Sequence, residues 1–79
     1  MTPTQRQQMR VIFQDVADKH GLEEADLYVR DRCTAVTLAR SEAWAECRAR
    51  GFSFPVIAAL GGWDHTSVMH GVRKHGGAA

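Results

Sequence analysis

The stretch that decides the fold is "SFPVIAALGGWDHTSVMHGVRKH", residues 53 to 75. Ser53 is a residue type that caps helix N termini, and Pro55 in the first turn lacks only an N–H group that would have no helical partner there. A short helix is therefore predicted to begin at Ser53, and Gly61 and Gly62 are predicted to end it.

A second helix of this stretch is predicted to start at Asp64, whose carboxylate can accept hydrogen bonds from the free N–H groups of the first turn. Its inward face follows the spacing i, i+4, i+7, which is occupied by Val68, Val72 and His75. Its outward face has the same spacing and carries Thr66, His70 and Arg73. Because the outward face has polar groups and no bulky hydrophobe, the pair of helices is typical of a helix-turn-helix whose second helix reads a groove.

The sequence from Gly61 to Lys74 resembles the carboxy-terminal DNA-binding domain, domain IV, of the bacterial replication initiator DnaA. That family has the pattern G-G-R-D-H-T-T-V-x-H-x-x-R-K, and this chain reads "GGWDHTSVMHGVRK" in the same register. It departs at Trp63, where the family has arginine, and at Ser67, where the family has threonine. The resemblance implies a compact all-α bundle of four to five helices that contains the helix-turn-helix, of the DnaA domain IV or Trp-repressor-like kind.

The resemblance extends upstream to about residue 9. The family has a short "x-x-E-D-L-L" helix and then a basic loop, K-R-R-S-R-S-V-A-R-P-R-Q. Asp26 and Leu27 match the D-L of the helix. Arg30 and Arg32 match the first and third basic positions of the loop, and Arg40 matches the arginine before its glutamine. Other family loop residues are replaced here by Asp31, Thr34, Leu38, Ala39 and Ser41. Since several replacements remove arginine, fewer phosphates are expected to be neutralised, and DNA affinity is expected to depend less steeply on salt.

Three further helices are predicted upstream of the helix-turn-helix. The first begins with a capping box at Thr2 and Gln5, ends near His20, and carries an apolar stripe of Met9, Ile12, Phe13 and Val16. A short helix follows Gly21, with Leu22, Leu27 and Tyr28 on its buried side.

A longer helix is predicted from about Leu38 to Arg50, with Ala43, Trp44 and Cys47 on its inner face. Trp44 also shares a stripe with Arg40 and Arg48, so the alternative is that it lies at the rim of a DNA surface.

The base contacts are predicted at residue types that suit the edges of base pairs. Asp64 can accept from cytosine N4, Thr66 can place its methyl on a thymine methyl, and the resemblance puts both, with His65, against bases in the major groove. The alternative is that Asp64 is only a helix cap.

By resemblance Arg32 enters the minor groove, and Arg40 is a candidate for guanine because its planar fork can hold O6 and N7 together. Ser41, in place of the family glutamine, is also assigned a base contact.

Phosphate contacts are predicted at residues that position the protein without reading sequence. They are Arg30, Arg48, Ser67, His70, Arg73 and Lys74.

Charge is distributed unevenly along the 79 residues, although the net charge is only +1. Residues 1 to 29 hold three basic and five acidic side chains, whereas residues 30 to 79 hold seven basic and four acidic ones. The basic half therefore contains the predicted recognition helix, as expected if phosphates are met there.

The length favours a single domain, residues 1–79, and no apolar run is long enough for a membrane span or a signal peptide. We therefore expect a cytoplasmic, nucleoid-associated protein in which Cys33 and Cys47 are free thiols. No zinc-finger spacing, nucleophile–base pair or phosphate loop is present, so neither a metal, a cofactor, a small-molecule substrate nor catalysis is expected.

Together these features predict a sequence-specific double-stranded DNA-binding protein. The resemblance to a free-standing DnaA domain implies, by family analogy, a small transcription or replication regulator of phage or mobile-element type. The alternative is a protein-interaction module that keeps the fold but docks to a polymerase or a larger regulator. In that case the acidic first half or an exposed Trp63 would form the contact.

Overall fold

The structure, a computed structural model, describes residues 2–29 and 34–75. These residues form four α-helices and one short 3₁₀ helix. The elements in chain order are α1 (Pro3–Lys19), the 3₁₀ helix (Glu24–Leu27), α2 (Thr34–Ala49), α3 (Phe54–Gly61) and α4 (His65–His75). The predicted all-α fold is confirmed. No helix in the described ranges has both the length and the apolar character that a membrane crossing requires.

Helix α1 has the predicted capping box at its start. The Thr2 hydroxyl accepts a hydrogen bond from the Gln5 N–H at 3.2 Å, and the Gln5 side chain accepts one from the Thr2 N–H at 3.0 Å. The apolar stripe is buried as expected and consists of Met9, Ile12, Phe13, Val16 and Ala17. The helix ends at Lys19, and Gly21 then takes a left-handed backbone conformation with φ of +70°.

The 3₁₀ helix is fastened to α1 by hydrogen bonds to the Glu24 carboxylate. Arg10, Gln14 and Tyr28 all donate to this carboxylate. Burial by itself would raise the pKa of Glu24, but these three donors outweigh it and leave the pKa below its usual value. The fully buried side chain of Leu27 completes the attachment, so the end of the 3₁₀ helix has a fixed place on the bundle.

Helix α2 begins at Thr34, four residues before the predicted start at Leu38, so that predicted boundary was wrong. Val36 and Ala39 are buried and continue the inner stripe of Ala43 and Cys47 by one more turn, whereas Leu38 is 53% exposed. The Cys47 thiol is free, and burial raises its pKa to about 12. Cys33 lies outside the described residues.

Four aromatic rings pack together, two of them buried in the core and two partly buried against it. Phe13 stacks on Tyr28 with ring centroids 5.4 Å apart and on Trp63 at 5.7 Å, and Trp44 meets Trp63 edge-on at 5.2 Å. Because Trp44 is only 6% exposed, its predicted core role is confirmed and the alternative at the DNA rim is not. This cluster joins α1, the 3₁₀ helix, α2 and the turn before α4.

Helix α4 packs closely on α2 because Gly71 has no side chain. An ideal Cβ on Gly71 would lie 2.4 Å from Cε3 of the Trp44 ring and 3.3 Å from the Ser41 hydroxyl. The indole of Trp44 therefore occupies the space beside the α4 backbone, and the distance between the two helices depends on this glycine.

We predict that Gly71→Ala destabilises the protein. Alanine is ordinarily more favourable than glycine inside a helix by about 1 kcal/mol. Here the added methyl overlaps Trp44, so we expect a net loss of about 1–3 kcal/mol in the free energy of unfolding, measured by urea denaturation. The matched control is Gly71→Ala in a Trp44→Leu background, where the loss should be smaller. A more stable Gly71→Ala single variant would contradict the close packing.

Candidate DNA-binding surface

The turn between α3 and α4 is built by capping groups at both helix ends. Helix α3 starts at Phe54, and the Ser53 hydroxyl accepts a hydrogen bond from the Val56 N–H. At its other end Gly62 takes a left-handed conformation with φ of +69°, and the Trp63 N–H donates to the Ala58 carbonyl at 2.9 Å. The chain thus leaves α3 and enters α4 within three residues, and the predicted helix-turn-helix is present.

Asp64 caps α4, as predicted. Its Oδ1 accepts a hydrogen bond from the Thr66 N–H at 2.9 Å, and its own carbonyl accepts from the Val68 N–H at 3.2 Å. The bond from the Thr66 backbone holds the pKa of the Asp64 carboxyl below its usual value. The side chain nevertheless remains 70% exposed, so the cap leaves the carboxylate accessible from outside.

The outward face of α4 is exposed along its whole length. All the residues predicted there to meet DNA are exposed, namely Asp64, His65, Thr66, Ser67, His70, Arg73 and Lys74. On the inner face Val68 is fully buried and Val72 is half-buried, as predicted. His75 is exposed, so its predicted inward position was wrong. The last three residues of the helix, 73 to 75, are all exposed, which indicates that α4 extends past the core there.

Two arginines of α2 contact backbone carbonyls. Arg48 is exposed at the end of α2; its guanidinium donates to the Phe52 carbonyl at 3.3 Å and lies 4.9 Å from the centroid of the Phe54 ring. It therefore links the end of α2 to the start of α3. Arg40 is half-buried, and its Nε donates to the Leu27 carbonyl at 2.9 Å.

Ser41 does not fit the base contact assigned to it. It is only 7% exposed and lies beside Gly71, between α2 and α4. A serine side chain is too short to reach a DNA base from that depth, whereas the family glutamine is longer. Arg30 and Arg32, the predicted phosphate and minor-groove residues, lie outside the described residues.

Comparison with known proteins agrees with this geometry. The model of the family described as the bacterial DnaA protein helix-turn-helix matches residues 9–74. The chain is also 39% identical over 64 residues to the chromosomal replication initiator protein DnaA of Dechloromonas aromatica (strain RCB), and the alignment covers 78% of this chain. This chain belongs to the bacterial DnaA helix-turn-helix family. The alignment covers 14% of the length of the Dechloromonas protein, and no solved structure matches the chain.

Membership of the DnaA family makes this a DnaA-type helix-turn-helix DNA-binding domain. The family is not a known class of enzyme. In the part of the chain that the structure describes, no three His, Cys, Asp or Glu side chains are grouped so that they could hold a metal ion.

Trp63 is the main departure from the DnaA pattern, and its predicted exposure was wrong. The ring is half-buried, stacks on Phe13 and Tyr28, and meets Trp44 edge-on. Gly61 makes room for it, since an ideal Cβ there would lie 2.5 Å from the indole. Its place directly after Gly61 and Gly62 and before Asp64 suggested an exposed turn residue. A large apolar ring in a chain with so few of them was the signal for burial.

We predict that Trp63→Arg, which restores the family residue, lowers the free energy of unfolding by roughly 2–3 kcal/mol because it removes the ring stack and brings a charge to the edge of the core. Trp63→Phe is the control, since it keeps an aromatic ring and should lose about half as much. Urea denaturation followed by far-UV circular dichroism measures both. If Trp63→Arg were as stable as the wild type, the stack would not be what holds the turn.

Proposed function

We propose that this chain binds double-stranded DNA sequence-specifically, with α4 in the major groove and the segment of Arg30 and Arg32 in the minor groove. The observation that carries the proposal is the exposed outward face of α4, from Asp64 to Lys74, on a helix whose start is fixed by a cap and by the aromatic core. A helix that enters the major groove needs such a face and a rigid support behind it.

The first turn of α4 supplies the proposed base contacts. Asp64 can accept a hydrogen bond from cytosine N4 while it continues to cap the helix, because its side chain is 70% exposed. His65 is 59% exposed and can donate to a base or make an apolar contact. Thr66 is exposed and can place its methyl against a thymine methyl.

The remainder of the outward face supplies the proposed phosphate contacts. Ser67 lies in the first turn, where the positive end of the helix dipole favours an anion. His70 follows one turn later, and Arg73 and Lys74 put two positive charges in the last turn. Arg48 is proposed as a further phosphate contact from α2, since it remains exposed while it donates to the Phe52 carbonyl.

The minor-groove contact is proposed for Arg32, with Arg30 on a phosphate, and is supported by the family match, which spans both residues. An arginine in a narrow minor groove meets an enhanced negative potential. Residues 30–33, called the basic segment, contain fewer basic residues than the corresponding part of the DnaA pattern. This supports a DNA affinity that depends less on phosphate contacts than in the initiator.

We further propose that residues 1–79 act as one DNA-binding domain in a small, nucleoid-associated regulator of transcription or replication, of the phage or mobile-element type. The membership in the DnaA family supports sites related to those of the initiator. The replacement of two family arginines by Asp31 and Thr34 supports a shifted site preference.

The alternative proposal is docking to a polymerase or larger regulator, and one of the two surfaces suggested for it is not exposed. It relied on an exposed Trp63 or on the acidic first half of the chain. Trp63 is packed against three other aromatic rings, so only the acidic half is left to it.

We predict that Lys74→Ala weakens binding to all duplexes and lowers the slope of log affinity against log salt by about one, because one phosphate fewer is neutralised. Fluorescence anisotropy with labelled duplexes at several salt concentrations measures this slope. Arg6→Ala, which removes an exposed arginine on α1, is the charge-matched control and should leave the slope unchanged. Equal slopes for Lys74→Ala and wild type would refute the phosphate assignment.

We predict that Asp64→Ser and His65→Ala change sequence preference. Serine keeps a capping oxygen for the Thr66 N–H but removes the carboxylate, so this variant separates the cap from the base contact. Selection of duplexes from a random pool gives the preferred site, and each lost base contact should reduce discrimination there by about 1–3 kcal/mol. If Asp64→Ser selects the wild-type site with undiminished discrimination, Asp64 is a helix cap and nothing more.

A further inference from the structure

The Arg40 guanidinium binds two carbonyls at the end of the 3₁₀ helix. Its Nε donates to the Leu27 carbonyl at 2.9 Å, and its Nη2 donates to the Val29 carbonyl. Carbonyls at a helix end lack partners within the helix, so a side chain from elsewhere can satisfy them. The planar fork of arginine suits two neighbouring acceptors, whereas a lysine ammonium is a single point of charge.

The two carbonyls precede the basic segment, residues 30–33, and Arg40 belongs to the helix that follows it. Leu27 is fully buried and fixes one end of the contact on the core. Val29 directly precedes Arg30, and α2, which carries Arg40, starts at Thr34 directly after the segment. Arg40 therefore joins the helix that follows the segment to the last residue that precedes it.

We propose that Arg40 is a positioning residue for DNA recognition, which acts through the backbone of Leu27 and Val29 and sets the direction in which the chain enters residues 30–33. It replaces the guanine contact predicted from sequence, since a half-buried guanidinium that holds two carbonyls is not presented to a base edge. The inference rests on the proposed function, because it assigns Arg30 and Arg32 to DNA.

A double-mutant cycle tests whether Arg40 acts through the segment. The variants are Arg40→Gln, Arg32→Ala and the two combined, with duplex affinity measured by anisotropy. We expect Arg40→Gln to lose about tenfold in affinity alone and less than about twofold when Arg32 is already alanine, because coupled residues are not additive. Losses that multiply would mean that Arg40 contacts DNA independently, and would overturn the proposal.

Arg40→Lys separates geometry from charge. It keeps the positive charge and most of the stem, so it also serves if Arg40→Gln does not fold. A positioning role predicts that lysine behaves like glutamine in affinity and leaves the salt slope at the wild-type value. Wild-type affinity in Arg40→Lys would mean that only the charge matters, and would overturn the proposal.

A measurement without DNA distinguishes failure of this inference from failure of the proposed function. Limited trypsin digestion followed by mass spectrometry reports the rates of cleavage after Arg30 and Arg32. We expect cleavage there to be severalfold faster in Arg40→Gln and unchanged in the control Arg48→Gln, which removes another arginine of α2 that donates to a carbonyl. Unchanged cleavage in Arg40→Gln would overturn the positioning role. If the wild type binds no duplex but cleavage accelerates, the proposed function fails while the contact that Arg40 makes with the segment stands.

Discussion

The stack of Trp63 on Phe13 and Tyr28, closed edge-on by Trp44, is the contact on which the rest of the structure depends. It joins four separate parts of the chain at the residue directly before the cap of α4. The free energy gained by burying and stacking the rings must exceed a cost, because the indole N–H groups of Trp44 and Trp63 are buried and have no hydrogen-bond partner among the described residues. Each such group costs about 1–3 kcal/mol. Helix α4 is thus oriented by the core and not by its short turn alone.

This packing requires glycine at two positions in the second half of the chain. Gly61 leaves room for the Trp63 ring and Gly71 for the Trp44 ring, so two indoles reach the centre of a small core without pushing α4 outward. Gly51 and Gly62 instead serve a backbone need, because their φ values of +96° and +69° are unfavourable for other residues. A domain of this size has few large side chains, and close approach of helices at glycine lets those few contact one another.

Local features of the fold could be predicted from sequence, whereas contacts between distant residues could not. The capping box at Thr2, the cap at Asp64 and the glycine end of α3 each depend on neighbours within a few residues, and all three are confirmed. Trp63 was misjudged because its partners lie up to fifty positions away in the chain. Arg40 and Ser41 were assigned to bases from their register in the family, which gives no information on depth or on a carbonyl within reach.

Two basic positions of the DnaA pattern serve the internal structure of this chain. The family arginine at the turn can offer a charge to DNA, but Trp63 gives that charge up and connects the turn to the aromatic core instead. The positive charges on α4 are then confined to its last turn, while its first turn keeps Asp64, His65 and Thr66 exposed. Arg40 is comparable, since its guanidinium donates hydrogen bonds to the carbonyls of Leu27 and Val29. In both cases the residue at a basic position of the family pattern supports this chain's own structure, since Trp63 connects the turn before α4 to the other aromatic rings and Arg40 binds the backbone of Leu27 and Val29.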